Sequence, residues 1–198
     1  PDTGTTSLVD DIRDGSGSSY PSDLTVFDGV LYFAADDGTN GEELWKYDGV
    51  TPPSMVADAM PGGGSSSPAK LTAWNDKLWM RLQTLSHEDA LYTLDGDGLS
   101  LFKSFTDTQT LDDEISNLVA YDGAVYFAAK GSELSGSELW KYDPDTGTAS
   151  LVADINEGFE DSDLQDLTVL EGVLYFSADD GTNGYELWKY DPNDGPGG

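Results

Sequence analysis

Short apolar runs alternate along the whole chain with clusters of Gly, Asp, Asn, Ser and Pro. Val30-Leu-Tyr-Phe33, Lys77-Leu-Trp-Met80, Ala124-Val-Tyr-Phe127 and Val173-Leu-Tyr-Phe176 are short, rich in β-branched and aromatic residues, and bounded by turn formers. That is the composition of strands. No window holds the 3.6-residue period of an amphipathic helix. Each run follows another, Leu24-Thr-Val-Phe27, Leu71-Thr-Ala-Trp74, Leu118-Val-Ala-Tyr121 or Leu167-Thr-Val-Leu170. Links such as Asp28-Gly29, Asp122-Gly123 and Glu171-Gly172 join the two and predict tight hairpins. A third element comes next: Glu43 to Asp48, Ala90 to Asp95, Glu138 to Asp143 and Glu186 to Asp191. Its starts at 43, 90, 138 and 186 set a period of 47 to 48 residues. A fourth element, Ser54-Met-Val-Ala57, Leu99-Ser-Leu-Phe102 or Ser150-Leu-Val-Ala153, follows the first three copies. Each unit predicts a four-stranded antiparallel meander, the form of a propeller blade.

The opening residues Thr5-Thr-Ser-Leu-Val-Asp10 copy Thr148-Ala-Ser-Leu-Val-Ala153, whereas the fourth unit has no such strand after Asp191. This predicts an all-β fold, a four-bladed β-propeller in which the N-terminal strand completes the last blade beside Tyr185 to Tyr190. The expected domain is single, 1–198. Its blades lie at about 22–60, 69–104, 116–154, and 165–191 together with 5–12.

Charge narrows the partners. The 198 residues carry 38 acids against 9 lysines and arginines, a net charge of −29. Nucleic acids bind through phosphate neutralisation by Lys and Arg, so this surface repels them, and an anionic membrane as well. Divalent cations, polyamines and basic protein patches are what it attracts. No apolar stretch nears the roughly 20 residues that span a bilayer. Cysteine is absent, and the chain reads as a mature or excised segment.

The run Glu43-Leu-Trp-Lys-Tyr-Asp-Gly49, with Ala35-Asp-Asp-Gly-Thr-Asn-Gly41 before it, resembles the bacterial ELWxxDGT repeat of large secreted and surface-attached proteins. Val50 replaces the motif's Thr, and Pro follows Asp143 and Asp191. The resemblance implies an extracellular or cell-surface setting. The blade pattern is also similar to hemopexin-like four-bladed propellers, although their disulfide is missing. That likeness implies a cation in a central channel, at the start of the innermost strands. The matching positions are Asp23, Lys70, Asn117 and Asp166, of which Lys70 opposes a cation.

Other candidates come from the residues themselves. Asp36 and Asp37, with their copies Asp179 and Asp180, sit in Asp-Asp-Gly-Thr-Asn-Gly loops dense in hard oxygen donors that suit Ca²⁺. The same residues suit plain turn chemistry. The second unit departs from the others and gathers Lys70, Trp74, Arg81 and the sole histidine, His87, as a candidate partner or ligand site. The recurring Trp45, Trp140 and Trp188 fit packing between blades.

One histidine, no cysteine and no Gly-x-Ser-x-Gly elbow argue against nucleophilic catalysis. A carboxylate pair acting on glycosides is the residual enzymatic option. The expectation is a non-catalytic extracellular binding, adhesion or scaffold module with a structural Ca²⁺ ion. Its partner is a protein or glycan surface, or copies of itself. The alternatives are a building block of a filament or surface array, by stacking or strand exchange, and a binder of polyamines or small cations.

Overall fold

In the computed structural model, which describes residues 4–83, 85, 89–104, 115–132 and 135–194, every strand pairs antiparallel with a sequence neighbour. The first sheet holds β1 (Ser22–Phe27), β2 (Val30–Asp36), β3 (Glu42–Tyr47) and β4 (Ser54–Ala57). The second holds β5 (Ala69–Trp74), β6 (Lys77–Gln83), β7 (Asp89–Asp95) and β8 (Gly98–Ser104). The third holds β9 (Ser116–Tyr121), β10 (Ala124–Ser132), β11 (Ser135–Asp143) and β12 (Thr148–Ala153). The fourth shows three strands among the described residues, β13 (Gln165–Leu170), β14 (Val173–Asp179) and β15 (Tyr185–Tyr190). These blade-like sheets are called blades 1 to 4 below. No α-helix forms among the described residues, so none is long and apolar enough to cross a membrane.

The repeat is visible in the register. Phe33 faces Trp45, Met80 faces Tyr92, Phe127 faces Trp140 and Phe176 faces Trp188, the same cross-strand pair in each blade. The hairpin turns explain how each pair is aligned. Asp28 and Gly29 both have positive φ, 49° and 75°, as do Asp122 with Gly123 and Glu171 with Gly172. Two such residues in a row give the turn whose twist matches that of the strands.

The innermost strands β1, β5, β9 and β13 pack side by side in that order. Between neighbouring blades the core is aliphatic and aromatic. Leu44 packs with Leu71, Leu78 and Met80, and Leu91 with Val125 and Phe127. Leu139 packs in the same way with Leu164, Leu174 and Phe176.

The opening segment departs from expectation. Residues 4–21 form no strand, and Leu8 and Val9 are exposed. The predicted outer strand beside Tyr185 to Tyr190 is therefore not formed here. Further along, the segment is anchored on blade 1. Asp36 N donates to Ser19 O at 2.9 Å, as Gln83 N does to Ser66 O and Asp179 N to Ser162 O. Ser19, Ser66 and Ser162 stand at the same place in the repeat, so the opening segment lies on blade 1 as each connector lies on the blade that follows it.

Candidate functional site at the blade junctions

The positions matched to a cation channel do fall on the innermost strands. Asp23, Lys70, Asn117 and Asp166 each adopt positive φ, 52° to 58°, at a register irregularity. Two of the side chains, Asp23 and Asn117, accept from a backbone donor of the next blade. Asp23 Oδ1 accepts from Lys70 N at 2.7 Å, and Asn117 Oδ1 accepts from Asp166 N at 3.0 Å. Asn117 Nδ2 donates to Leu164 O at 2.7 Å. Lys70 has no acceptor to offer, so the series breaks at blade 2. Hydroxyls add further links, Thr25 Oγ1 donating to Leu71 O at 3.1 Å and Thr72 Oγ1 to Leu118 O at 3.4 Å.

The paired Asp loops are also self-contained. Asp37 Oδ1 accepts from Thr39 N and Asn40 N, both at 2.8 Å, and Asp180 does the same for Thr182 N and Asn183 N. These amides hold both carboxyls below the usual aspartate range. Asp36 Oδ1 and Asp179 Oδ1 accept from Gly38 N and Gly181 N, and Arg13 pairs with Asp36. Among the described residues no three or more His, Cys, Asp or Glu side chains gather to hold a metal. In these loops the carboxylates of Asp37 and Asp180 serve as turn caps, each also accepting from the side-chain amide of Asn40 or Asn183 at 2.7 Å.

The candidates of the second unit separate as well. Arg81 Nη1 pairs with Asp89 at 3.1 Å while its Nη2 donates to Ser67 O, and Trp74 packs on Trp79 with ring centroids 6.2 Å apart. Lys70 is exposed at its bulge, and His87 lies outside the described residues.

The residues that sequence reasoning missed are two buried glutamates. Glu43 and Glu138 open the Glu-Leu-Trp-Lys-Tyr-Asp run and are fully buried where their blade meets the next connector. Glu43 accepts from Ala59 N at 3.1 Å, Ser66 N at 3.2 Å and Ser66 Oγ at 2.6 Å. Glu138 accepts from Ile155 N at 2.7 Å. Desolvation pushes both carboxyls above the ordinary glutamate value. Blade 2 carries Ala90 at this place, and the neighbouring Asp89 accepts from Ile115 N at 3.2 Å instead. The signal was present in the spacing: Asp11 to Asp23, Asp58 to Lys70 and Asp154 to Asp166 are equal intervals, which aligns Ile12 and Ser19 with Ala59 and Ser66.

The fourth copy of this arrangement is open. Leu44, Leu91 and Leu139 are 1%, 0% and 0% exposed, while Leu187 at the same place in β15 is 77% exposed and Glu186 beside it is exposed too. Blade 1 has an apolar groove lined by Val9, Ile12, Leu24, Leu31, Phe33 and Tyr47.

No protein-family profile matches the chain, and no curated protein matches it. Among the solved structures that resemble it in fold are the following two. One comes from a study of two prolyl endopeptidases and their inter-domain dynamics, at 15% identity and a TM-score of 0.53 over 84% of this chain. The other is PorZ, a bacterial surface component of the type-IX secretion system of Porphyromonas gingivalis, at 13% identity and a TM-score of 0.55 over 86%. The chain spans about a quarter of the length of each, 25% in both. Both contain propellers, which agrees with the all-β, blade-like sheets described above.

Proposed function

We propose that this chain is a non-catalytic scaffold module of an extracellular or cell-surface assembly, a propeller whose fourth blade joins a first blade through the contacts that join its inner blades. The observation that carries this reading is the exposed Leu187 and Glu186, set against their buried counterparts in blades 1 and 3. A buried carboxylate is costly unless fixed donors surround it, so Glu43 and Glu138 make sense as junction residues held by the next blade's amides. Glu186 is followed by the same Leu-Trp-Lys-Tyr-Asp run and has no such donors among the described residues. The run Glu43 to Gly49, resembling a repeat of secreted and surface-attached proteins, supports the extracellular setting. The charge of −29 favours solubility and disfavours nucleic-acid partners.

Amide hydrogen exchange tests the reading. Joined ends protect the amides of β15 and of residues 12–19, and Leu187→Asp abolishes that protection. Rapid exchange of both segments in the unaltered chain defeats the reading, whatever the mass of the particle.

A further inference from the structure

Resting on that reading, we propose that the end face of blade 4 docks on blade 1 of a second copy of this chain, head to tail. The groove on blade 1 is the vacant member of a series. In the filled members Leu44 sits against Leu71, Leu78 and Met80, and Leu139 against Leu164, Leu174 and Phe176. The repeat aligns Leu24, Leu31 and Phe33 with Leu71, Leu78 and Met80, and with Leu167, Leu174 and Phe176, of which Leu167 packs against the Leu139 cluster. The knob that matches this socket is Leu187.

Three polar features agree with the apolar one. Glu186 aligns with Glu43, and the amides of Ile12 and Ser19 align with the Ala59 and Ser66 amides that Glu43 accepts from. Among the described residues the Asp166 carboxylate and the Thr168 hydroxyl make no hydrogen bond, whereas their counterparts Asp23 and Thr25 reach Lys70 N and Leu71 O of the next blade. The corresponding groups on blade 1 are Asp23 N and Leu24 O. A Cβ on Gly41 would lie 2.3 Å from Gly64 O, and one on Gly136 would lie 1.8 Å from Glu160 O, so both glycines admit the next connector at backbone contact. Gly184, their counterpart in blade 4, meets nothing within 4 Å, and the repeat aligns Gly17 with Gly64 and Glu160.

The occupant is another copy because one chain leaves both halves of the junction uncovered at once. Leu187 and Leu24 are 77% and 61% exposed in the same molecule. In a second copy the exposed Leu8 and Val9 are free to pair with the outer edge of β15, as Met55 pairs with Trp45 and Leu151 with Trp140 inside the chain. The two surfaces differ, so the interface is heterologous: it closes into a ring or continues as a filament according to the rotation per copy.

Light scattering after size exclusion tests this, at about 0.5 M NaCl so that the acidic surfaces are screened. The unaltered chain is expected at a multiple of its own mass. Leu187→Asp on one end and Leu24→Asp on the other each weaken association about 100-fold or more, since each places a charge in a buried apolar centre. Each variant still has one intact end, so an equimolar mixture of the two forms a 1:1 dimer and stops there. That complementation also shows that both variants fold. A single-chain mass for the unaltered protein overturns the proposal, as does failure of the mixture to form the dimer. Exchange protection of β15 in a single-chain particle would retain the scaffold reading and reject the second copy.

Discussion

The Ser66 hydroxyl donates a 2.6 Å hydrogen bond to Glu43 Oε2 in a buried contact that crosses from the connector of blade 2 to the third strand of blade 1. Around it, Ala59 N and Ser66 N complete a cradle for one carboxylate. Glu43→Ala leaves two amides and a hydroxyl without an acceptor, and is expected to destabilise the chain by roughly 2–4 kcal/mol. Glu43→Gln keeps an acceptor oxygen and is expected to lose less than half of that. Urea unfolding followed by tryptophan fluorescence checks both, with similar slopes for all three proteins.

The same carboxylates set a pH dependence. Burial raises the folded-state values of Glu43 and Glu138 above the ordinary 4.5. Protonation therefore favours the folded chain. Their contribution is fully present below 4.5 and is lost as pH rises through the raised folded values. Asp37, Asp48, Asp95 and Asp180 act in the opposite sense, their lowered values contributing above 3.8 and losing that contribution in stronger acid. The melting temperature is expected to rise from neutral pH to a maximum in mild acid and to fall below it. The double variant Glu43→Gln, Glu138→Gln has a shallower rise, because its amides do not titrate. A melting curve of that variant parallel to the unaltered chain from neutral pH into mild acid contradicts this assignment.

The strand pattern, the hairpin links and the four-fold repeat were all legible, because alternation and turn chemistry are local. The junction chemistry was less so. Glu43 and Glu138 count as surface charge in any composition, and only the partner at Ser66 or Ile155, seventeen or more residues away, shows that they are buried. Asp23, Lys70, Asn117 and Asp166 share a strained backbone position although their side chains have no common chemistry. The likeness to an ion channel mouth pointed to these positions; in the fold Asp23 and Asn117 each accept from the next blade's amide. Strand pairing within one chain and between two chains requires the same residues, so Ser7 to Asp10 could not reveal where its partner strand lies.

Calcium titration distinguishes turn chemistry from ion binding in the Asp loops. The Oδ1 atoms of Asp37 and Asp180 each accept two amides. Isothermal calorimetry with Ca²⁺ is expected to show no saturable heat beyond weak screening of the net charge. Asp37→Ala is expected to destabilise the chain by about 1 kcal/mol with or without Ca²⁺, the usual effect of losing a capping side chain. A calcium-dependent rise in melting temperature that Asp37→Ala removes would contradict the turn assignment.

The hairpin of blade 2 offers a stabilising change. Its turn is Asn75-Asp76, with φ of 51° and 55°, where blades 1, 3 and 4 have glycine second. A side chain in the left-handed region is strained, and glycine there is not. Asp76→Gly is expected to stabilise the chain by about 0.5–1 kcal/mol, the strain relief being offset in part by the greater freedom of glycine in the unfolded chain. Chemical denaturation checks the sign.

Lys70 is the break in a series. Asp23 caps the amide of Lys70, and Asn117 caps the amide of Asp166, but the ammonium of Lys70 cannot accept from the amide of Asn117. Lys70→Asn introduces the side chain that Asn117 uses one blade later, at a position with the same positive φ that asparagine tolerates better than lysine. It also removes one of nine basic residues from a chain of charge −29, which acts against it. Neutral asparagine is therefore preferred to aspartate, and salt reduces the opposing effect by screening. The net expectation is a gain of about 0.5–1 kcal/mol at high ionic strength, close to one exposed hydrogen bond. Lys70→Ala is the comparison, since it removes the same charge and adds no acceptor. If the two variants melt together, the contact between neighbouring inner strands contributes nothing to stability, and the blades are held by their apolar junctions alone.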